Sequence, residues 1–330
     1  MYQTAYHHRD LSQFSVLITG GAGFIGSNLV EYFLKYGAKK VRVIDNFLTG
    51  FRENLAPYMD HPNFELLEGD ISVLADCEQA CEGMDAVCHQ AALGSVPRSV
   101  ASPHLTTLHN VNGFVNMVHA AHQAGIKRFV YASSSSVYGD EPNLPKVEDR
   151  IGQQLSPYAI TKYSNELFAK NFGDLYGMEF MGFRYFNVFG PKQSPKGAYA
   201  AVIPLFAEAC LLGKTAYING DGLQTRDFTF IENVVQMNVK ALLSENPAAY
   251  NQVYNVGVGG RYSVLDLYEG IRKAAASEQA PVHRDSRAGD IRDSQANIEK
   301  AKTLLGYNPL FSFEEGLAIT VEHFKQLLKA

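Results

Sequence analysis

The stretch "ITGGAGFIG" (18–26) closes an apolar, β-branched run with Gly20-x-x-Gly23-x-x-Gly26, and "FIGSNLVEYFLKYG" (24–37) then continues with helical spacing. Glycines at that spacing permit a tight turn, let a backbone approach a pyrophosphate and let a helix pack on a sheet. The helix N-terminus adds N–H donors and a positive dipole end. Candidate contacts are Gly20, Gly23, Phe24, Ile25 and Gly26. A second strand, "KVRVID" (40–45), ends at Asp45, 19 residues past Gly26, where a carboxylate binds the hydroxyls of an adenosine ribose and repels a 2′-phosphate. The loop and the acid together predict NAD rather than NADP.

The pattern repeats along the chain. "FELLEGD" (64–70), "AVCHQAA" (86–92), "RFVYASS" (128–134) and "EFMGFRYF" (179–186) alternate with longer helical segments. Strand-then-helix alternation with Val- and Ile-rich strands predicts an α/β fold, a doubly wound parallel (Rossmann) sheet. After "FGP" (189–191) loops lengthen, and a further strand candidate, "QVYNVGV" (252–258), appears late. Residues 12–190 are read as the NAD-binding domain, joined by that late strand, and 191–330 as mostly a smaller α/β substrate lobe. Strand ends add candidates on the cofactor side: Asp70 and Ile71 in "GDI", Gln90 and Ala91 in "HQAA", and Asn110, read as opening the helix in "HNVNGF". Asp70 reads equally as an ordinary turn residue.

Composition excludes several classes. The chain has 330 residues, 46% hydrophobic and 19% charged, and a net charge of −5. With no basic run longer than Lys39-Lys40, nucleic acid is not expected. Neither a signal-type apolar core nor about 18 uninterrupted apolar residues occurs, so a cytoplasmic protein without membrane contact is expected. Cys77, Cys81, Cys88 and Cys210 form no CxxC pair, which argues for free thiols and against a metal site.

The reacting groups are sought at "YASSSSVYGD" (131–140) and "SPYAITKYSNELF" (156–168). Four serines ending a buried strand are costly unless something hydrogen-bonds them. That strand end faces the crevice where doubly wound sheets bind ligands, so the serines are read as binding a reacting alcohol. Tyr158 and Lys162 lie one helical turn apart. An ammonium beside a phenol favours the phenolate, which turns a group of ordinary pKa about 10 into a base near neutrality.

Taken together, "GGAGFIG", "DN" (Asp45-Asn46), "GDI", "HQAA", "SSSSVYGD", "YAITK" and "RYFNVFGP" resemble, in order and over nearly the whole chain from Phe14, the extended short-chain dehydrogenase/reductases, and within them the nucleotide-sugar 4-epimerases. The resemblance implies Tyr158 as base, Ser134 as catalytic hydroxyl, Ser136 near the sugar, and Lys162 on the nicotinamide ribose. It adds Asn46 to the cofactor set and Ser135 to the sugar site, and places Tyr185 near nicotinamide and Asn187 on the sugar nucleotide. "GAYAAVIP" (197–204), with Tyr199, Ala201 and Val202, and "AYINGDGLQTRDF" (216–228), with Tyr217 and Asn219, are implied to hold nucleobase and diphosphate. Arg226 and Arg287 would grip the diphosphate as guanidinium forks, and Asp290 the ribose.

Related 4,6-dehydratases carry an Asp-Glu pair just before "VYG" and UDP-glucuronate decarboxylases a Glu. Here Ser135-Ser136 stand there, which favours epimerisation. A catalytically silent NAD-binding protein is the other alternative, against which Tyr158 and Lys162 are both present. Seven residues after Arg287, Ser294 falls where the family limits space at the sugar's C2 substituent, and a small side chain leaves room for an N-acetyl group. A one-residue shift of register would instead make Ser294 a surface serine. The resemblance is nearest to bacterial UDP-N-acetylglucosamine 4-epimerases of polysaccharide biosynthesis. Residues 104–125 and 158–177 carry apolar side chains beyond the needs of one sheet face, among them Leu105, Val115, Leu167 and Phe168. Family members pair these two helices with their copies, so a homodimer is expected.

Overall fold

The computed structural model describes residues 1–194, 201–285 and 292–329. The first half runs β1 (Ser15–Thr19), α1 (Phe24–Lys35), β2 (Lys40–Asp45), β3 (Phe64–Glu68), α2 (Leu74–Cys81), β4 (Ala86–His89), α3 (Val96–Ala101), α4 (Pro103–Thr107), α5 (Gly113–Gln123), β5 (Arg128–Ser134), α6 (Pro157–Tyr176) and β6 (Glu179–Tyr185). Then follow β7 (Val188–Phe189), α7 (Val202–Leu212), β8 (Tyr217–Asn219), β9 (Thr225–Arg226), β10 (Thr229–Phe230), α8 (Ile231–Leu242), β11 (Gln252–Val256), β12 (Tyr262–Ser263), α9 (Val264–Ala275), β13 (Val282–Arg284), α10 (Glu299–Leu305) and α11 (Phe313–Lys329).

A seven-stranded parallel sheet, in the order β11-β6-β5-β4-β1-β2-β3, is the core of the nucleotide lobe. Every residue of β1 is buried, as expected where helices cover both faces. The order reverses between β1 and β4, and that switch point opens the crevice at the strands' C-terminal ends. The chain passes between lobes more than once. After α7 and β8 to β10 in the substrate lobe, α8 packs against α1, and β11 pairs with β6 at the sheet edge. Small pairings, β8 with β13 and β9 with β12, frame the substrate lobe. Among the described residues no helix is long and apolar enough to cross a membrane.

Asn110 does not open a helix. The helical stretch begins at Pro103, and Asn110 lies inside a π-helical turn, Leu108–Asn112, between α4 and α5. Its buried amide accepts the Leu93 N–H (2.7 Å) and donates to Leu93 O (3.3 Å) and Thr161 Oγ1 (3.1 Å). The start signal was the proline at the first helical position, not the later asparagine.

The residues before β1 form a strap over α1 and α8. The Tyr6 hydroxyl and the Tyr2 N–H donate to Glu232 Oε2 (2.7 and 3.1 Å), the Tyr2 hydroxyl donates to Asn28 Oδ1 (2.7 Å), and Tyr6 stacks on Tyr32 at 5.2 Å. Deleting residues 1–9 uncovers the Tyr32 ring and leaves Glu232 without two donors. The expected cost is about 2–5 kcal/mol, read by calorimetry as a Tm lower by roughly 3–7 °C.

Candidate active site

The glycine loop has no room for side chains. Gly20 has φ +69°, and a Cβ there would stand 2.8 Å from the backbone N and Cα of Ala91. At Gly26 it would run into the Gly20 carbonyl, and at Gly23 it would lie 3.2 Å from that same oxygen. Bare backbone therefore faces the crevice, and Phe24 and Ile25 supply the first two amides of α1. A cleft follows, lined by Gly20, Gly23, Asp45, Asn46, Ile71, Gln90 and Ala91. These residues suit a dinucleotide: bare amides for pyrophosphate and a carboxylate for ribose, at the switch point of the sheet.

Asp45 is buried, and its carboxylate accepts the N–H groups of Ala22 (2.9 Å) and Phe47 (2.8 Å). Burial pushes its pKa up, and the two amides pull the other way. Asp70 accepts from Asn46 Nδ2 (2.8 Å) and the Ser72 N–H (2.8 Å) and faces His109 Nδ1 at 3.4 Å. Burial raises its carboxyl, but these hydrogen bonds and the His109 ring outweigh it, and the net shift is downward. Asp70 therefore braces Asn46 and His109, which line the cleft, without itself lining it.

Tyr158 and Lys162 sit one turn apart on α6, beside the end of β5. Lys162 is 1% exposed and donates to Ala132 O (2.8 Å), and burial lowers its pKa to about 8. Burial raises the Tyr158 phenol, while a hydrogen bond with Ser134 pulls it down. Ser134 Oγ also accepts the Ser136 N–H (3.1 Å) and hydroxyl (2.9 Å), which fixes the 3-10 turn Ser135–Tyr138. The serine run divides at this point. Ser133 points the other way and donates to Glu166 Oε1 (2.5 Å), itself in a buried ion pair with Arg184 (2.8 Å). Its polarity serves that pair, so the reading of all four serines as alcohol binders holds at most for Ser134, Ser135 and Ser136.

Just past the end of β6, Asn187 is exposed at φ +23° between β6 and β7, a backbone strain of the kind that gathers at functional sites. Arg226 on β9 donates to Thr225 O (2.8 Å) and Arg292 O (3.1 Å), and the Ser294 N–H donates to Thr225 O (3.1 Å). Arg226 and Ser294 are therefore brought side by side. Asn219 and Tyr217 lie on β8, with the Arg284 guanidinium 3.8 Å over the Tyr217 ring. Ala201 caps α7 and Val202 begins it. Tyr199, Arg287 and Asp290 lie outside the described residues.

Three residues were not anticipated. Buried Asp227 accepts the N–H groups of Val258 (3.0 Å), Gly259 (2.9 Å) and Ala296 (3.1 Å), and so ties the loop after β11 to the segment carrying Ser294. Burial pushes its pKa up to about 6 against those three amides. An acid next to the apolar "FTFI" was the available signal. Ser95, two residues past the cleft wall at Leu93, holds φ +111° and caps α3 through the Arg98 N–H (3.2 Å). Serine before Val-Pro marks that cap in the sequence. Asn238 on α8 reaches Gln90 and the Tyr185 hydroxyl, with no signal in the local sequence.

A UDP-glucose 4-epimerase of Mycolicibacterium smegmatis is 37% identical over 316 residues, covering 94% of this chain and 98% of that protein. A solved UDP-N-acetylglucosamine 4-epimerase of Methanobrevibacter ruminantium, in complex with UDP-N-acetylmuramic acid, superposes with a TM-score of 0.89 at 38% identity, covering 96% of this chain and 99% of its own. A dTDP-glucose 4,6-dehydratase of Streptomyces venezuelae with NAD bound gives 0.87 at 30% identity, over 95% and 97%. The likeness thus spans both lobes, including the glycine loop, the Tyr158/Lys162 helix and the strand end beside it. The model of the NAD dependent epimerase/dehydratase family matches residues 16–257, and with relatives this similar over nearly their whole length, the chain belongs to that family.

Proposed function

We propose that this protein is a UDP-N-acetylhexosamine 4-epimerase, interconverting UDP-GlcNAc and UDP-GalNAc through a transient 4-keto sugar, and that it works in the cytoplasm as a homodimer. The observation that carries the reaction class is the turn Ser134–Tyr138 beside Tyr158: it offers hydroxyls and no carboxylate, so it has neither an acid to drive loss of water nor a Glu for decarboxylation. The small side chain of Ser294 beside Arg226, and similarity to an epimerase named for the N-acetylated sugar, support the substrate.

NAD, when bound, supplies the hydride acceptor and donor at C4. Tyr158 as phenolate takes the C4 hydroxyl proton, with the Ser134 hydroxyl bridging phenol and sugar oxygen. After the 4-keto sugar turns over in a pocket of small residues, Tyr158 returns the proton to the C4 oxygen. Lys162 holds the phenolate by its charge. Arg226 and Asn187 keep the nucleotide in place while the sugar rotates.

The test is NMR of the protein incubated with UDP-GlcNAc, UDP-glucose and UDP-glucuronate in turn, without added reductant. Formation of UDP-GalNAc from the first, faster than turnover of the others, is expected. A 4-keto-6-deoxy product or carbon dioxide release would establish a dehydratase or decarboxylase instead, and no turnover a silent binding protein.

The pH profile tests the base. Protonation of Tyr158 abolishes the base, so kcat falls as pH drops through the phenol's pKa. Removing the neighbouring positive charge raises that pKa, so in Lys162→Met the acid limb moves to higher pH. An unmoved limb would separate Lys162 from the phenol. For the dimer, Leu105, Leu167 and Phe168 are 41%, 54% and 37% exposed on the helices read as pairing. Light scattering is expected to give twice the chain mass at micromolar concentration.

A further inference from the structure

Gln90 directly follows β4 and Tyr185 ends β6, and β5 lies between those strands. No ladder hydrogen bond therefore sets the distance between the two side chains. Asn238, from α8, does. Its Oδ1 accepts Gln90 Nε2 (3.1 Å) and the Cys88 thiol (3.4 Å), while its Nδ2 donates to the Tyr185 hydroxyl (2.9 Å). The Tyr185 hydroxyl then donates to Gln90 Oε1 (3.2 Å), which closes a ring of three side chains. A further bond from Nδ2 to Val234 O (2.8 Å), one turn back on α8, fixes the amide's own orientation. Asn238 is fully buried and Tyr185 is 9% exposed, whereas Gln90 is part of the cleft wall next to Ala91 and Gly20.

We propose that Asn238 is a positioning residue for the cofactor: it locks Gln90 and Tyr185 into one rigid wall, against which the nicotinamide end of NAD is oriented. A buried ring of this kind has every polar atom satisfied, so it is rigid when complete and costly when one member is lost. The adenosine half would rest on the Asp45 and Asn46 side of the cleft, and neither of those residues touches Asn238. The two halves of the dinucleotide therefore depend on different supports, and that separation makes the role measurable. The inference rests on the cleft being the NAD site and not on the identity of the sugar.

The chain has no tryptophan, so the experiment is calorimetric titration of dialysed full-length protein with NAD and with ADP-ribose, which lacks nicotinamide. The variants are Asn238→Leu and the triple variant Gln90→Met/Tyr185→Phe/Asn238→Leu, which removes the three ring side chains together and leaves only the weak Cys88 thiol donor without its acceptor. In Asn238→Leu the NAD Kd is expected to rise about tenfold, with ADP-ribose changed less than about twofold. The triple variant should keep a Tm near that of the parent and show the same shift in the NAD to ADP-ribose ratio. Equal weakening of both ligands, an unchanged ratio in Asn238→Leu, or a parental ratio in the triple variant would each overturn the proposal. A shifted ratio in a protein that epimerises no UDP-sugar would defeat the proposed function and leave this inference standing.

Discussion

Tyr158→Phe is expected to lose about two to four decades of kcat while UDP-sugar binding changes little. In the proposed reaction the phenol takes and returns the C4 proton. Its neighbours cannot replace it: Ser134 is held by its bonds to Ser136 and Tyr158, and Lys162 is buried against Ala132 O. The ring itself stays, so packing on α6 is kept and Ser134 loses only one partner. Burial drives both groups toward their neutral forms, Tyr158 upward and Lys162 down to about 8. Steady-state rates with equilibrium binding of UDP-GlcNAc check the expected loss, and a mutant retaining most of the turnover would sink the assignment.

Ser294→Tyr should divide the substrates by volume. The Ser294 backbone is fastened to Thr225, next to Arg226, and the following Ala296 N–H is fastened to buried Asp227. The segment therefore cannot retreat to make room for a larger side chain. If the side chain faces C2 of the sugar, a tyrosine occupies the space of an acetamido group but still admits a hydroxyl. Overpacking costs about 1–3 kcal/mol, or roughly 5- to 150-fold discrimination. The expected result is loss of activity on UDP-GlcNAc and UDP-GalNAc, with activity on UDP-glucose and UDP-galactose kept or increased. Equal losses on both pairs, or no change, would remove Ser294 from the sugar pocket.

The sequence alone determined the parallel sheet, the glycine loop with Asp45, and the pairing of Tyr158 with Lys162. Each of these is a local property: apolar runs of strand length, glycines where no Cβ fits, two side chains one helical turn apart. It also carried the strap's tyrosines without assigning them a partner, since Glu232 lies 226 residues from Tyr6. Tertiary structure decided what separate segments do to one another. It turned Ser133 toward Glu166 and Arg184 while its neighbour Ser134 faced Tyr158, because adjacent strand residues point to opposite faces and the ion pair came from α6 and β6. It made Asn110 a buried brace where a helix start had been read, made Asp227 the knot behind Ser294, and brought Asn238 to Gln90 and Tyr185. A buried polar group must find its hydrogen-bond partner wherever the fold supplies one, and its own stretch of sequence holds no record of where that is.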